Sequence, residues 1–111
     1  MGDKGGKDTK GTKLKISAKA AADVENIFRF IAIDQEKPLT AQRVRKKIFE
    51  KIKKIGIAPY ANKPLSGPNL ETRDIRQGIV MSWMIIYEIT ENSIEIYKVI
   101  HRSKCNDLHL E

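Results

Sequence analysis

The sequence predicts an α+β domain in which an antiparallel helical hairpin packs on one face of a small, mainly antiparallel sheet. Three observations predict it. Two stretches in the first half carry apolar residues at spacings of three and four, as amphipathic helices do. The second half carries runs of β-branched and aromatic residues, as strands do. A short alternating stretch, Lys13-Leu14-Lys15-Ile16-Ser17, precedes both helices. The order is therefore β-α-α-β-β-β, and helices segregated from strands in this way form two layers around one core.

Residues 1–13 combine Gly with four lysines and no apolar periodicity, and read as a disordered basic tail outside the fold. The first strand ends at Ser17, whose hydroxyl is placed to cap the next helix. From Ala18 to about Ile33, the residues Ala20, Val24, Ile27, Phe28 and Ile31 form one stripe, with Asp23 and Glu25 near the positive helix end. Asp34 to Pro38 breaks the pattern. A second helix runs from about Leu39 to Ile55 with Val44, Ile48, Ile52 and Ile55 buried, and Gly56 sits where a left-handed cap would end it. So short a connection pairs the helices antiparallel.

Ile57 to Glu71 contains Pro59, Pro64, Pro68 and Gly67, and reads as an irregular connection. Thr72 to Ile79 is the next strand, with Gly78 as a weak point or bulge. The centre of the sheet is a hairpin from Trp83 to His101 that turns at Thr90-Glu91-Asn92-Ser93. Its first arm is almost continuously apolar, as in a strand covered on both faces. Its second arm alternates, with Ile94, Ile96 and Ile100 assigned to one face and Tyr97, Val99 and His101 to the other. Residues 105–111 lack a pattern and read as a tail.

Composition narrows the function classes. A chain of 111 residues is one small domain. Its apolar runs are broken by charge, so no membrane span is expected, and Arg29 interrupts the only stretch resembling a signal peptide. Cys105 is the sole cysteine, which rules out an internal disulfide and makes a reducing cytoplasm the simplest setting. The formal net charge of +7 suits a polyanionic partner, either nucleic acid or an acidic protein; a Lys-rich solvated surface is the plainer reading. Much of the charge lies on the second helix, as Arg43, Arg45, Lys46, Lys47, Lys51, Lys53 and Lys54 against Glu50 alone.

No cysteine or histidine cluster has metal-ligand spacing, since His101 and His109 stand alone. No glycine-rich phosphate loop follows a strand, and the carboxylates are scattered. No metal or cofactor is expected, and a conventional catalytic pocket is poorly supported. What remains is a cationic and aromatic set near the later strands: Arg73, Arg76, Trp83, Tyr87, His101, Arg102 and Lys104. Such residues hold phosphates and stack bases, although Trp83 and Tyr87 also suit a core with their polar tips at its edge, and Arg76 a solvated strand edge.

Several of these pieces occur in a particular order. Ser17 precedes a helix containing Asp23 and Ile27, a basic helix follows, and the Pro-rich connection ends in Leu65-Ser66-Gly67. Arg76 stands seven positions before Trp83, followed by Ile85-Ile86-Tyr87 and then by Ile94 through Arg102. In this the chain resembles, from about Leu14 to Lys104, the ParE/RelE superfamily of type II toxins, sometimes called plasmid stabilisation proteins. The resemblance implies two helices on a small antiparallel sheet.

It also implies one of two activities. RelE-like members resemble metal-independent ribonucleases that cut messenger RNA on the ribosome, with cations stabilising the phosphate transition state. They carry an arginine directly after the strand aromatic, where this chain has Met84. A second arginine near the end of the last strand matches Arg102, and a tyrosine beyond it has no counterpart after Tyr97. Methionine donates no hydrogen bond to a phosphate. ParE-like members resemble DNA gyrase inhibitors that act by binding; they carry an apolar residue at the Met84 position and an ending like Val99-Ile100-His101-Arg102-Ser103-Lys104. The chain departs from them at Met81-Ser82, where a glycine-containing turn is usual.

The ParE-like reading leads, with Arg76, Trp83, His101, Arg102 and Lys104 as target-binding residues. On the ribonuclease alternative the catalytic set would be Arg73, Arg76, His101, Arg102 and Lys104; an inactive relative kept as a binding module is a third. The resemblance further implies an acidic, adjacently encoded antitoxin in a hetero-oligomer with this chain, meeting Arg43, Lys46, Lys47, Lys51 and Lys54 on the basic helix.

Overall fold

Strand β1 (Lys13–Ile16), helix α1 (Ala18–Arg29) and helix α2 (Pro38–Ile57) form in the order the apolar spacing dictates. They are followed by β2 (Lys63–Pro64), β3 (Asp74–Val80), β4 (Trp83–Ile89) and β5 (Ser93–His101). The structure, a computed structural model, describes residues 13–65 and 72–107. The expected basic tail lies outside them except for Lys13, which opens β1. A kinked pair of 3-10 turns, Arg102–Asp107, follows β5 where no pattern was expected, and the end of the chain lies outside the described residues.

The sheet has the order β1-β5-β4-β3-β2, with β1 parallel to β5 and every other pair antiparallel. The fifth strand comes from the connection expected to be irregular. Lys63 and Pro64 pair with Gln77 and Arg76, and a two-residue edge strand tolerates proline. Before it, Pro59–Ala61 makes a 3-10 turn.

Helix α1 starts at Ser17, whose hydroxyl accepts from the Ala20 N–H at 2.9 Å. It buries Ala20, Val24 and Ile27, then widens into a π turn (Phe30–Asp34) that buries Ile31. Helix α2 buries Ala41, Val44, Ile48, Ile52 and Ile55, the expected stripe plus one residue. Gly56 does not end α2; the helix passes through it to Ile57. A Cβ there would meet Leu14 Cδ2 at 3.1 Å, so the glycine admits β1. Gly78 makes no bulge either, for β3 pairs with β4 without interruption. A Cβ on Gly78 would meet Ile55 Cδ1 at 3.1 Å and Lys51 Cε at 3.2 Å, so it brings α2 close to the sheet.

The bulge lies instead in β5. Tyr87 pairs with Ile96 and Ile86 with Lys98, which leaves Tyr97 as the extra residue. Alternation restarts beyond it. Val99 joins Ile94 and Ile96 in the helix-covered core, whereas Ile100 joins Tyr97 on the opposite face with Met84 and Ile86. The assignment of Ile100 and Val99 from strict alternation is thereby corrected.

Bulging frees backbone groups, and α1 satisfies them. The Ser17 hydroxyl donates to Tyr97 O at 2.9 Å, and the Val99 N–H donates to Asp23 Oδ2 at 2.9 Å. Asp23 is buried and also accepts from Lys19 Nζ. It therefore serves the sheet as well as its own helix.

Met81 and Ser82 form the two-residue link between β3 and β4, with Val80 opposite Trp83. Met81 has φ of 56°, a left-handed conformation that costs an L-residue about 1–2 kcal/mol. Replacement Met81→Gly is expected to raise stability by about 0.5–1 kcal/mol after glycine's own entropy cost, measured by urea denaturation. Asp23→Ala strands the buried Val99 N–H and is expected to lower stability by about 1–3 kcal/mol. An unchanged unfolding midpoint would remove Asp23 from that role.

Candidate functional site

The face of the sheet without helices ends in a cleft of about 570 Å³. Its walls come from one end of the three central strands: Gln77 and Ile79 from β3, Ser82 from the link, Met84 from β4, His101 from the end of β5, and Arg102 and Ser103 just after it. Arg102 N–H donates to Ser82 O at 2.9 Å, which ties the chain leaving β5 to the β3–β4 link. Met84 is 5% exposed and packs with Ile75 and Ile86, so the cleft has an apolar floor under a polar mouth.

His101 is held from two sides. Trp83, opposite it in the ladder, meets its ring edge-on with centroids 5.1 Å apart. The Ser103 N–H donates to His101 Nδ1 at 3.1 Å, and Ser103 Oγ lies 2.8 Å from the same atom. A main-chain N–H can only donate, so the neutral ring carries its proton on Nε2. Arg102 and Lys104 follow, both exposed.

The other two sequence candidates stand elsewhere. Arg73 precedes β3, four positions before Gln77 at the near wall of the cleft, about 13 Å along the strand. Its guanidinium donates to both Glu88 oxygens, at 2.8 and 3.3 Å, and lies 3.4 Å from Tyr97 Oη. Arg76 is on the helix-bearing face. It donates to Asp74 Oδ1 at 2.8 Å and Asn62 O at 2.7 Å, and lies over the Tyr60 ring. With only 16% of its side chain exposed, it is an internal strut. Tyr87, fully buried, adds a second by donating to Pro59 O at 2.7 Å, and that burial raises its phenol pKa.

The candidate set is thus divided. His101 and Arg102 come together, with Trp83 behind His101 against the helix-covered core, and Lys104 lies just beyond. Arg73 stands farther along the cleft's own face beside Tyr97, and Arg76 is on the helix-bearing face. Gln77, Ile79, Ser82 and Ser103 were not singled out from the sequence. Period-two alternation from Ile75 would have placed Gln77 and Ile79 on this face.

On α2, Arg43 and Lys46 are exposed, while Lys47 lies 3.8 Å from Glu50. Lys51 donates to Asn62 Oδ1 at 3.1 Å, and Lys54 is exposed with no ion pair among the described residues. Arg45 is turned toward α1, 3.2 Å from Glu25 and stacked on Phe28 at 4.0 Å.

The Arg73 cluster has a measurable electrostatic signature. Hydrogen bonds from Arg73 hold the Glu88 carboxyl below its usual range, with Tyr97 adding to the effect. Burial, then the hydrogen bond to Glu88, pushes the Tyr97 phenol from 10.0 up to about 12. Because the folded pKa is the higher, the Tyr97 proton stabilises the fold fully below about pH 10, and that contribution disappears as pH rises to about 12. The wild type is therefore expected to lose stability more steeply than Tyr97→Phe across that window in urea titrations. Parallel curves would contradict the cluster.

Comparison with known proteins adds the family. A model described as the ParE toxin of the type II toxin–antitoxin system parDE matches residues 14–104. No curated protein matches the sequence. Ten solved chains match; one, from the chromosomal ParDE toxin–antitoxin system of P. aeruginosa, superposes with a TM-score of 0.65 at 19% identity, over 81% of this chain and 95% of that one. At that identity the likeness is one of fold. Among the described residues no helix is long and apolar enough to cross a membrane. With most of its length matched by the family model, and with the two-layer fold described above, the chain belongs to the ParE toxin family of type II toxin–antitoxin systems.

Proposed function

We propose that the protein is the toxin of a two-protein module, that it arrests growth in the cytoplasm by binding DNA gyrase, and that an acidic, adjacently encoded antitoxin neutralises it. The observation that carries the target is the floor of the cleft. Cleaving RNA without a metal needs fixed cations around the scissile phosphate, because negative charge develops there in the transition state. Met84 supplies a buried thioether at that floor, a weak acceptor with no proton to donate. Arg73 is bonded to Glu88 and Arg76 to Asp74, so both guanidinium groups are already engaged. The cleft mouth keeps Arg102 and His101 as cationic or donor groups, with Trp83 behind His101. That is a surface suited to gripping a partner.

The antitoxin reading draws on charge. Exposed Arg43, Lys46 and Lys54 on α2 attract an acidic segment and speed its association.

Purified protein is expected to inhibit gyrase-catalysed supercoiling and to leave programmed-ribosome messages intact. Arg102→Ala is expected to raise the concentration needed for inhibition about tenfold, as loss of a central interface arginine does. Message cleavage abolished by Arg102→Ala, with gyrase unaffected, would replace this reading by the ribonuclease one.

A further inference from the structure

A second, smaller hollow lies where α2 runs into the 3-10 turn. Its volume is about 270 Å³, room for one leucine or phenylalanine side chain. Ile57, Ala58 and Ala61 line it with Asn62, and the remaining lining residues are Lys51 and Lys54. These lysines are three apart on the helix and so share a face. Among the described residues no carboxylate lines the hollow.

Two features mark it as a docking point. Ile57 is 80% exposed and nearby Tyr60 is 66% exposed, so apolar surface continues outside the hollow. The floor is also rigid. Arg76 and Tyr87 bond to the carbonyls of Asn62 and Pro59, and Lys51 donates to Asn62 Oδ1. A preformed apolar hole beside two cations favours an apolar side chain flanked by carboxylates, since the anchor is desolvated while the charges pair at the rim.

We propose that this hollow receives an apolar anchor residue of the acidic antitoxin, with carboxylates beside that residue meeting Lys51 and Lys54. The proposal rests on the antitoxin reading above and narrows it from a basic helix face to one seat at the end of α2.

The probe is the protein encoded by the adjacent reading frame, titrated calorimetrically into the wild type, Lys54→Glu, Ala61→Trp and Lys15→Glu. Lys54→Glu reverses one rim charge, and Ala61→Trp fills the hollow from an exposed position. Each is expected to weaken binding about tenfold or more. Lys15→Glu, on β1, controls for net charge and is expected to stay within about twofold. Thermal melts check folding, and titration shifts of the Ala58 and Ala61 amides give a readout that needs no variant. Unchanged affinity in both variants, or unmoved amides, overturns the seat while leaving the antitoxin reading intact. Failure of the wild type to bind overturns both. A wild-type dimer dissociated by Ala61→Trp would make a second copy the occupant and also overturn the proposal.

Discussion

The extra residue at Tyr97 sets a constraint that the rest of the structure meets. A bulge in a strand beneath a helical layer leaves a carbonyl and an N–H that water does not reach, and such groups need partners. Ser17 and Asp23 provide them from α1, across sequence separations of 80 and 76 residues. One hydroxyl thereby starts the helix and fastens it to the sheet, since Ser17 Oγ both accepts from Ala20 and donates to Tyr97. The Ser17 N–H extends the parallel β1–β5 ladder by bonding to Ile96 O. Helix position, strand register and chain entry are coupled through these few atoms.

Beyond the bulge, His101 shares a ladder position with Trp83, and Arg102 begins the next turn. A strand without the extra residue would exchange the faces of everything after Ile96. Ile100 would point into the helix layer, and the exposed end of the chain would leave on the other side. The cleft therefore owes its composition to an event several residues upstream.

Local chemistry is what a sequence displays most openly, and the elements that depend on it were legible. The two apolar stripes, the Ser17 cap, the β4–β5 turn and the basic side of α2 all follow from residues close together in the chain. Less legible were features made by contacts between distant segments. Gly56 and Gly78 look like a cap and a flaw in one dimension, yet each is a place where α2 meets a strand so closely that a Cβ would press on a neighbouring side chain. Arg76 resembles a solvated edge charge until the chain before β2 returns over it and offers two carbonyls. Asp23 resembles a helix-dipole partner because the Val99 N–H it serves is 76 residues away. Residues of the cleft were recognisable where cationic or ring character marks them, at His101 and Arg102; plain lining residues such as Gln77 and Ser82 were not.

The parallel pairing of β1 with β5 also governs when this molecule comes into being. Lys13 through Ile16 lie beside Ser93 through Ile96, so the first strand of the fold has its partner in the last strand of the sheet. Until β5 is made, β1 lacks its neighbour in the sheet, α1 lacks the groups its Ser17 and Asp23 serve, and β4 lacks one side. Closing so long a loop slows assembly, because chain entropy is lost before the distant contacts repay it. Completion of the native sheet is consequently deferred until its last strand exists. A protein built this way has an interval between synthesis and competence that is written into its topology.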